Sequence, residues 1–171
     1  MSSADSQTIG VIMTPATSLP STLIIGLGNP LRGDDGVGVC VAQMLAQQAL
    51  PNDVEVVDGG TQGLGLVNLM EGRRRIILVD AADVGKNPGQ FIRFTLDNAV
   101  LRSDDRPLSI HTAGLREALL MAEALKVLPD EVVIFGMQPA NLDWINALSS
   151  EVKATLPDLI AAVLSELAVN R

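Results

Sequence analysis

The order of apolar runs along these 171 residues predicts an α/β protein: a three-layer α/β/α sandwich on a mixed, mostly parallel five-stranded sheet with one antiparallel edge strand. Three observations carry the prediction. Leu23–Gly38 reads as an apolar run, a glycine-rich turn, two adjacent carboxylates and an amphipathic run, the grammar of a buried strand, a tight turn and a helix start. Ile76–Val79 is continuously apolar, as expected of a strand covered on both faces. Strand and helix patterns alternate along the chain, first β-α-β-α-β and then β-α-β-α.

The first strand is expected at Leu23–Gly26, followed by a helix from about Gly36 to Gln48 that Pro51 stops. Val54–Val57 reads as a second strand, and Asp58-Gly59-Gly60-Thr61 as a turn by composition. Leu64–Glu71 has helical spacing, and the strand Ile76–Val79 ends at Asp80. The connection from Ala81 to Pro88 is too short for a crossover helix, so the alternating segment Gln90–Thr95 should run antiparallel at an edge. A polar loop, Leu96–Ile110, leads to His111-Thr112 and a helix with Leu115, Leu119, Ala122 and Leu125 on one face. Val132–Phe135 is the last strand, and a helix from about Ser150 to Val169 enters through Ser149 as its cap. Pro157 inside it should kink or break it. Residues 1–21 read as a flexible N-terminal tail with no basic n-region or sustained apolar h-region, and 22–171 as one domain.

Composition removes whole classes of function. A net charge of −8 and only three Phe, one Trp and no Tyr argue against nucleic-acid binding, which needs clustered cations and stacking platforms. Arg73-Arg74-Arg75, the one dense basic run, reads as a solvated edge or as charge compensation at a helix end. No apolar run reaches transmembrane length. The single cysteine, Cys40, suits a reducing compartment and falls on an apolar helix side, as a small buried hydrophobe. A cytoplasmic monomer is the expectation.

Three residues sit where strands end or helices begin: Asp35, Asp80 and His111, with Asp58 a fourth candidate. Two carboxylates and the only imidazole make an oxygen/nitrogen set with open positions, suited to a divalent transition metal. With two aspartates in a row, one can cap the helix while the other faces the crevice. A closed zinc site of cysteines and paired histidines is impossible with one of each. Gly26-Leu27-Gly28 after a strand, with Asp58 ending the next, imitates a dinucleotide fingerprint. However, Leu31 holds the place of the third glycine, and two acids stand where pyrophosphate would approach.

The stretch Gly28-Asn29-Pro30-Leu31-Arg32-Gly33-Asp34-Asp35 resembles the opening signature of the nickel–iron hydrogenase maturation endopeptidases. The resemblance continues in order through Asp58-Gly59-Gly60-Thr61, Leu78-Val79-Asp80, Ser109-Ile110-His111 and Gly136-Met137-Gln138-Pro139, covering about Leu23 to Leu167. It implies a mixed five-stranded sheet with the fourth strand antiparallel. It also implies that Asp35, Asp80 and His111 are both the metal-binding trio and the catalytic groups of an aspartyl-type endopeptidase, which makes Asp35 the better ligand and Asp34 the better helix cap. The implied reaction removes a C-terminal peptide from the hydrogenase large-subunit precursor once nickel is inserted. The nickel arrives with the precursor and is the recognition element. Leu23–Pro30 alone also resembles the start of peptidyl-tRNA hydrolase. That family needs an early catalytic histidine and a basic face, which this acidic chain lacks. A non-cleaving chaperone for nickel-loaded precursor is the remaining alternative.

Overall fold

The computed structural model describes residues 19–96, the backbone of 109–110, and 114–168. Its strands are β1 (Thr22–Leu27), β2 (Val54–Gly60), β3 (Arg75–Asp83), β4 (Phe91–Thr95), β5 (Ser109–Ile110) and β6 (Glu131–Met137). Its helices are α1 (Val37–Leu45), α2 (Leu66–Met70), α3 (Leu115–Ala124) and α4 (Ser150–Ala168), with 3-10 turns at Gly33–Gly36 and Gly63–Gly65. The long strands lie in the order β2-β1-β3-β6-β4. All neighbours are parallel except β4, which runs antiparallel to β6 at the edge, as the short connection requires. β5, which the sequence pattern does not mark, pairs antiparallel with the last residues of β3.

Side chains alternate across the sheet and divide the core in two. Leu23, Ile25, Leu27, Ile76 and Leu78 face α2 and α3, where they meet Leu66, Met70, Leu115 and Leu119. Ile24, Ile77, Val79 and Phe135 face α1 and α4, packing with Val41, Leu45, Leu159 and Val163. Helices on both faces make the central strands inaccessible to water, which explains the unbroken apolar run of β3.

Several boundaries move for tertiary reasons. β2 continues through Asp58 and Gly59 to Gly60 because β1 offers it partners as far as Leu27, with a register shift at Gly26/Leu27. β3 runs past Asp80 to Asp83 because β6 and β5 flank it. α4 is continuous through the exposed Pro157, so the expected break does not occur. Ser149 Oγ accepts the Val152 N–H at 3.3 Å, the cap expected there. The proposed tail lies outside the described residues as far as 18. From there the chain is tied down: Pro20 O accepts from Arg73 at 2.9 Å, and Ser21 O accepts the Arg74 and Arg75 N–H groups.

Arg74 is exposed, but the rest of the arginine run is not a solvated edge. Arg75 is buried, with Nη2 2.6 Å from Glu166 Oε1 and Nε 3.0 Å from Glu131. Arg93 on β4 holds the same Glu166 carboxylate at 2.7 Å, and Arg73 pairs with Glu55 at 2.6 Å. Arg75 and Glu131 sit opposite one another at the first residues of β3 and β6. The network therefore clamps the end of α4 to the sheet edge remote from the strand C-termini. Cations so placed answer local carboxylates rather than a polyanion.

Candidate active site

In an open α/β sheet the ligand crevice lies beyond the strand C-termini, where consecutive connections leave to opposite sides. Here β1 has β2 on one flank and β3 on the other, so the crevice opens between the C-terminal ends of β1 and β3. The sequence-predicted acids fall there. Asp80 follows Val79, which pairs with Gly26, the penultimate residue of β1; Asp80 itself is opposite Gly136. Its side chain is fully buried and shares the parity of Ile76 and Leu78, the α2/α3 side.

Asp34 and Asp35 lie together in the 3-10 turn Gly33–Gly36, which packs against β3. Two glycines bring this turn down onto the strand ends. Gly28 has φ +115°, and a Cβ on it would run into the Asp35 carbonyl oxygen. A Cβ on Gly38 would meet the Val79 and Leu27 carbonyl oxygens, so only glycine lets α1 begin directly above β1 and β3. The first contact places Asp35 over the end of β1. The second seats the following helix one residue short of Asp80.

The two aspartates have divided their work differently from the expected cap and ligand. Asp34 caps no helix: a 3-10 turn separates it from α1, whose N-cap is Gly36 without any side-chain bond. Its fully buried carboxylate reaches across the molecule instead. Oδ2 accepts the N–H groups of Ala140 (2.8 Å) and Asn141 (3.0 Å), and Oδ1 accepts that of Ser149 (2.7 Å). The turn answers in kind, since Gly33 N–H donates to Ile145 O at 2.8 Å and Asp34 N–H to Asn141 O at 2.9 Å. The loop between β6 and α4 is thereby fastened to the acid-bearing turn. Local sequence rules miss this pairing because its partners stand more than a hundred residues away.

Asp35 is mostly buried, and its Oδ2 accepts the Asn29 N–H at 3.0 Å. A carboxylate held by a backbone amide is aimed by it, and can bind a cation or take a proton. His111 lies outside the described residues, and among the described residues no cluster of three metal-ligating side chains occurs. Asp58, the fourth candidate, is exposed and closes its own turn, accepting the Gly60 N–H at 3.0 Å. Cys40 is partly buried, and burial pushes its thiol pKa up, away from the reactive thiolate.

The mixed sheet with its antiparallel edge strand has counterparts among known proteins. Residues 39–166 match the HycI hydrogenase maturation protease family. The hydrogenase expression/formation protein HupD of Bradyrhizobium diazoefficiens is 37% identical over 154 residues, 86% of this chain and 80% of its own. The hydrogenase 2 maturation protease of Escherichia coli is 30% identical, over 85% of this chain and 89% of its own. Among solved structures, the hydrogenase maturating endopeptidase HybD from Escherichia coli superposes with a TM-score of 0.76. It is 28% identical and covers 86% of this chain and 91% of that one. The [NiFe] hydrogenase maturation protease HybD of Thermococcus kodakarensis gives 0.71 at 27% identity, over 84% and 97%. These likenesses run far beyond the eight residues shared with peptidyl-tRNA hydrolase, and they make the protein a peptide hydrolase. The chain belongs to the hydrogenase maturation protease family.

Proposed function

We propose that this protein removes a C-terminal peptide from the nickel-loaded precursor of a [NiFe]-hydrogenase large subunit, and that Asp35, Asp80 and His111 recognise the precursor's nickel. One observation supports the trio most directly. β5 runs antiparallel to the end of β3, with Ser109 opposite Asp83 and Ile110 opposite Ala82, so β5 itself points back along β3 in the direction of Asp80. The residue after Ile110 is His111. Asp35 occupies the turn above the neighbouring strand end, and the three belong to one crevice on this reading.

The nickel is part of the substrate. Two carboxylates and an imidazole complete its coordination and dock the scissile bond beside them, so cleavage waits on metal loading. Asp35 or Asp80 then takes a proton from the attacking water, while the other carboxylate and the imidazole hold the substrate in register. We place the protein in the cytoplasm as a monomer, in keeping with its single cysteine. No helix among the described residues is long and apolar enough to cross a membrane.

The test is trimming of purified nickel-loaded precursor, followed as a mobility shift on a gel. Wild-type protein should cut it and leave nickel-free precursor intact. His111→Ala should melt as wild type does and lose about a thousandfold in rate, on the scale of losing an acid–base group. Trimming by that variant at the normal rate would remove His111 from the site. Retention of precursor by wild type without cutting would point to the chaperone role.

A further inference from the structure

Four aromatic side chains must serve the whole molecule, and their placement is uneven. Phe94 and Phe135 are buried in the two cores and Phe91 is half-buried, but Trp144 is 77% exposed. It stands in the β6–α4 loop that Asp34 fastens to the acid-bearing turn. Leu31, two residues before that turn, is 55% exposed, and Ile145, next to Trp144 in the loop, is 49% exposed. A single exposed apolar side chain is ordinary. Here three of them lie on two segments that backbone and Asp34 hydrogen bonds hold together.

The holding bonds concern these residues in particular. The Ile145 carbonyl accepts from Gly33, the Leu142 carbonyl accepts from Arg32 Nη2 at 3.3 Å, and the Arg32 guanidinium lies 5.6 Å from the Trp144 ring centroid. The indole is therefore braced from below by a cation and left bare above. A rigid, exposed aromatic ring loses little conformational freedom on being covered, which is the character of an interface anchor. Because Asp34 and Asp35 are adjacent, a partner seated on Trp144 is held at a fixed offset from Asp35.

We propose that Leu31, Trp144 and Ile145 form an apolar docking surface for the folded body of the protein substrate, separate from the groups that meet its metal and scissile bond. The assignment rests on the proposed function, which makes the substrate a protein large enough to reach beyond the crevice. Continuity of the patch with the Asp35 turn favours that occupant over a second copy of this chain.

Trp144 is the only tryptophan, so 5-fluorotryptophan labelling yields a single fluorine resonance that reports on this spot alone. Adding unlabelled precursor should shift or broaden it. Trp144→Ala should raise KM for precursor by about tenfold or more with kcat within about twofold, the scale of an aromatic anchor. Trp144→Phe should restore most of the affinity. Leu125→Ala, which removes an equally exposed apolar side chain beyond α3, should change neither parameter. If wild type trims the precursor while the resonance stays still and Trp144→Ala keeps its KM, the docking surface is wrong and the proposed function stands. A resonance that depends on protein concentration without precursor would assign the patch to self-association and overturn the proposal. Failure of wild type to bind or trim nickel-loaded precursor would overturn both.

Discussion

The two ends of the sheet both bury carboxylates and stabilise them by opposite means. At the strand N-termini, Glu166 lies between Arg75 and Arg93, charge against charge. At the strand C-termini, Asp34 accepts three backbone N–H groups and Asp35 one. Guanidinium pairs set a countercharge beside a carboxylate; amide donors orient it and bring none. The end braced by arginines holds its buried carboxylate between two guanidiniums. At the other end the donors are backbone amides, and on the proposed reading Asp35, aimed by one of them, faces a cation carried by the protein substrate. On the proposed reading the difference separates a structural clamp from a working site, although both are made of buried acids.

Removing Asp34 should strain that comparison most. Asp34→Ala deletes the acceptor for Ala140, Asn141 and Ser149 at once, and charge-assisted bonds of this kind contribute about 1.5 to 3 kcal/mol each. Water can reach part of the loop, so we expect a loss of about 3 to 5 kcal/mol in urea denaturation. Precursor trimming should fall with it even well below the melting temperature, because the turn carrying Asp35 is no longer pinned. Asp34→Asn retains one acceptor oxygen and should cost about half as much. An Asp34→Ala protein that trims precursor normally would show that the turn needs no brace.

The contrasting substitution lies at the other end. Glu166→Ala leaves Arg75 buried with Glu131 as its remaining carboxylate, and frees Arg93 to solvent. Breaking one arm of a buried network should cost about 2 to 3 kcal/mol, below the full loss of a buried pair because Glu131 stays. Trimming at a temperature where the variant is folded should be unchanged. Equal damage to activity from Glu166→Ala and Asp34→Ala would erase the distinction between clamp and site.

What the sequence made legible follows the range of the interactions involved. The apolar run Ile76–Val79, the antiparallel β4 and the Ser149 cap depend on neighbours in the chain or on connection length, and each stands as expected. Asp35 and Asp80 could be placed at the crevice because a strand end is a local signal. Asp34 was expected to cap its own helix because the rule for a cap looks three residues ahead; its partners are 106 to 115 residues away. Arg75 read as solvated for the same reason, with Glu166 ninety-one positions on. Asp58-Gly59-Gly60 has turn composition yet extends β2, since pairing with β1 outweighs local preference. In each misreading the deciding partner is distant in sequence.

The smallest effect concerns pH and isolates the arginine-braced end. The Arg93 hydrogen bond, with the charges of Arg93 and Arg75, outweighs burial and holds the Glu166 carboxyl below the usual glutamate range. An acid with a depressed folded-state pKa takes up its proton first in the unfolded chain, so acidification favours unfolding. The stabilisation is complete above the ordinary glutamate value of about 4.3 and declines as pH falls from there through the lower folded value. Between pH 7 and about 5 the Glu166 contribution should be flat. Below that range wild type should lose denaturation midpoint more steeply than Glu166→Gln, which cannot titrate at this position. The remaining carboxylates titrate in both proteins, so the difference between the two curves belongs to Glu166. Parallel curves down to pH 3 would mean that the guanidinium pairs leave its proton affinity as it is in the unfolded chain. The clamp would then be held by packing and geometry, and the electrical contrast between the two ends would fail.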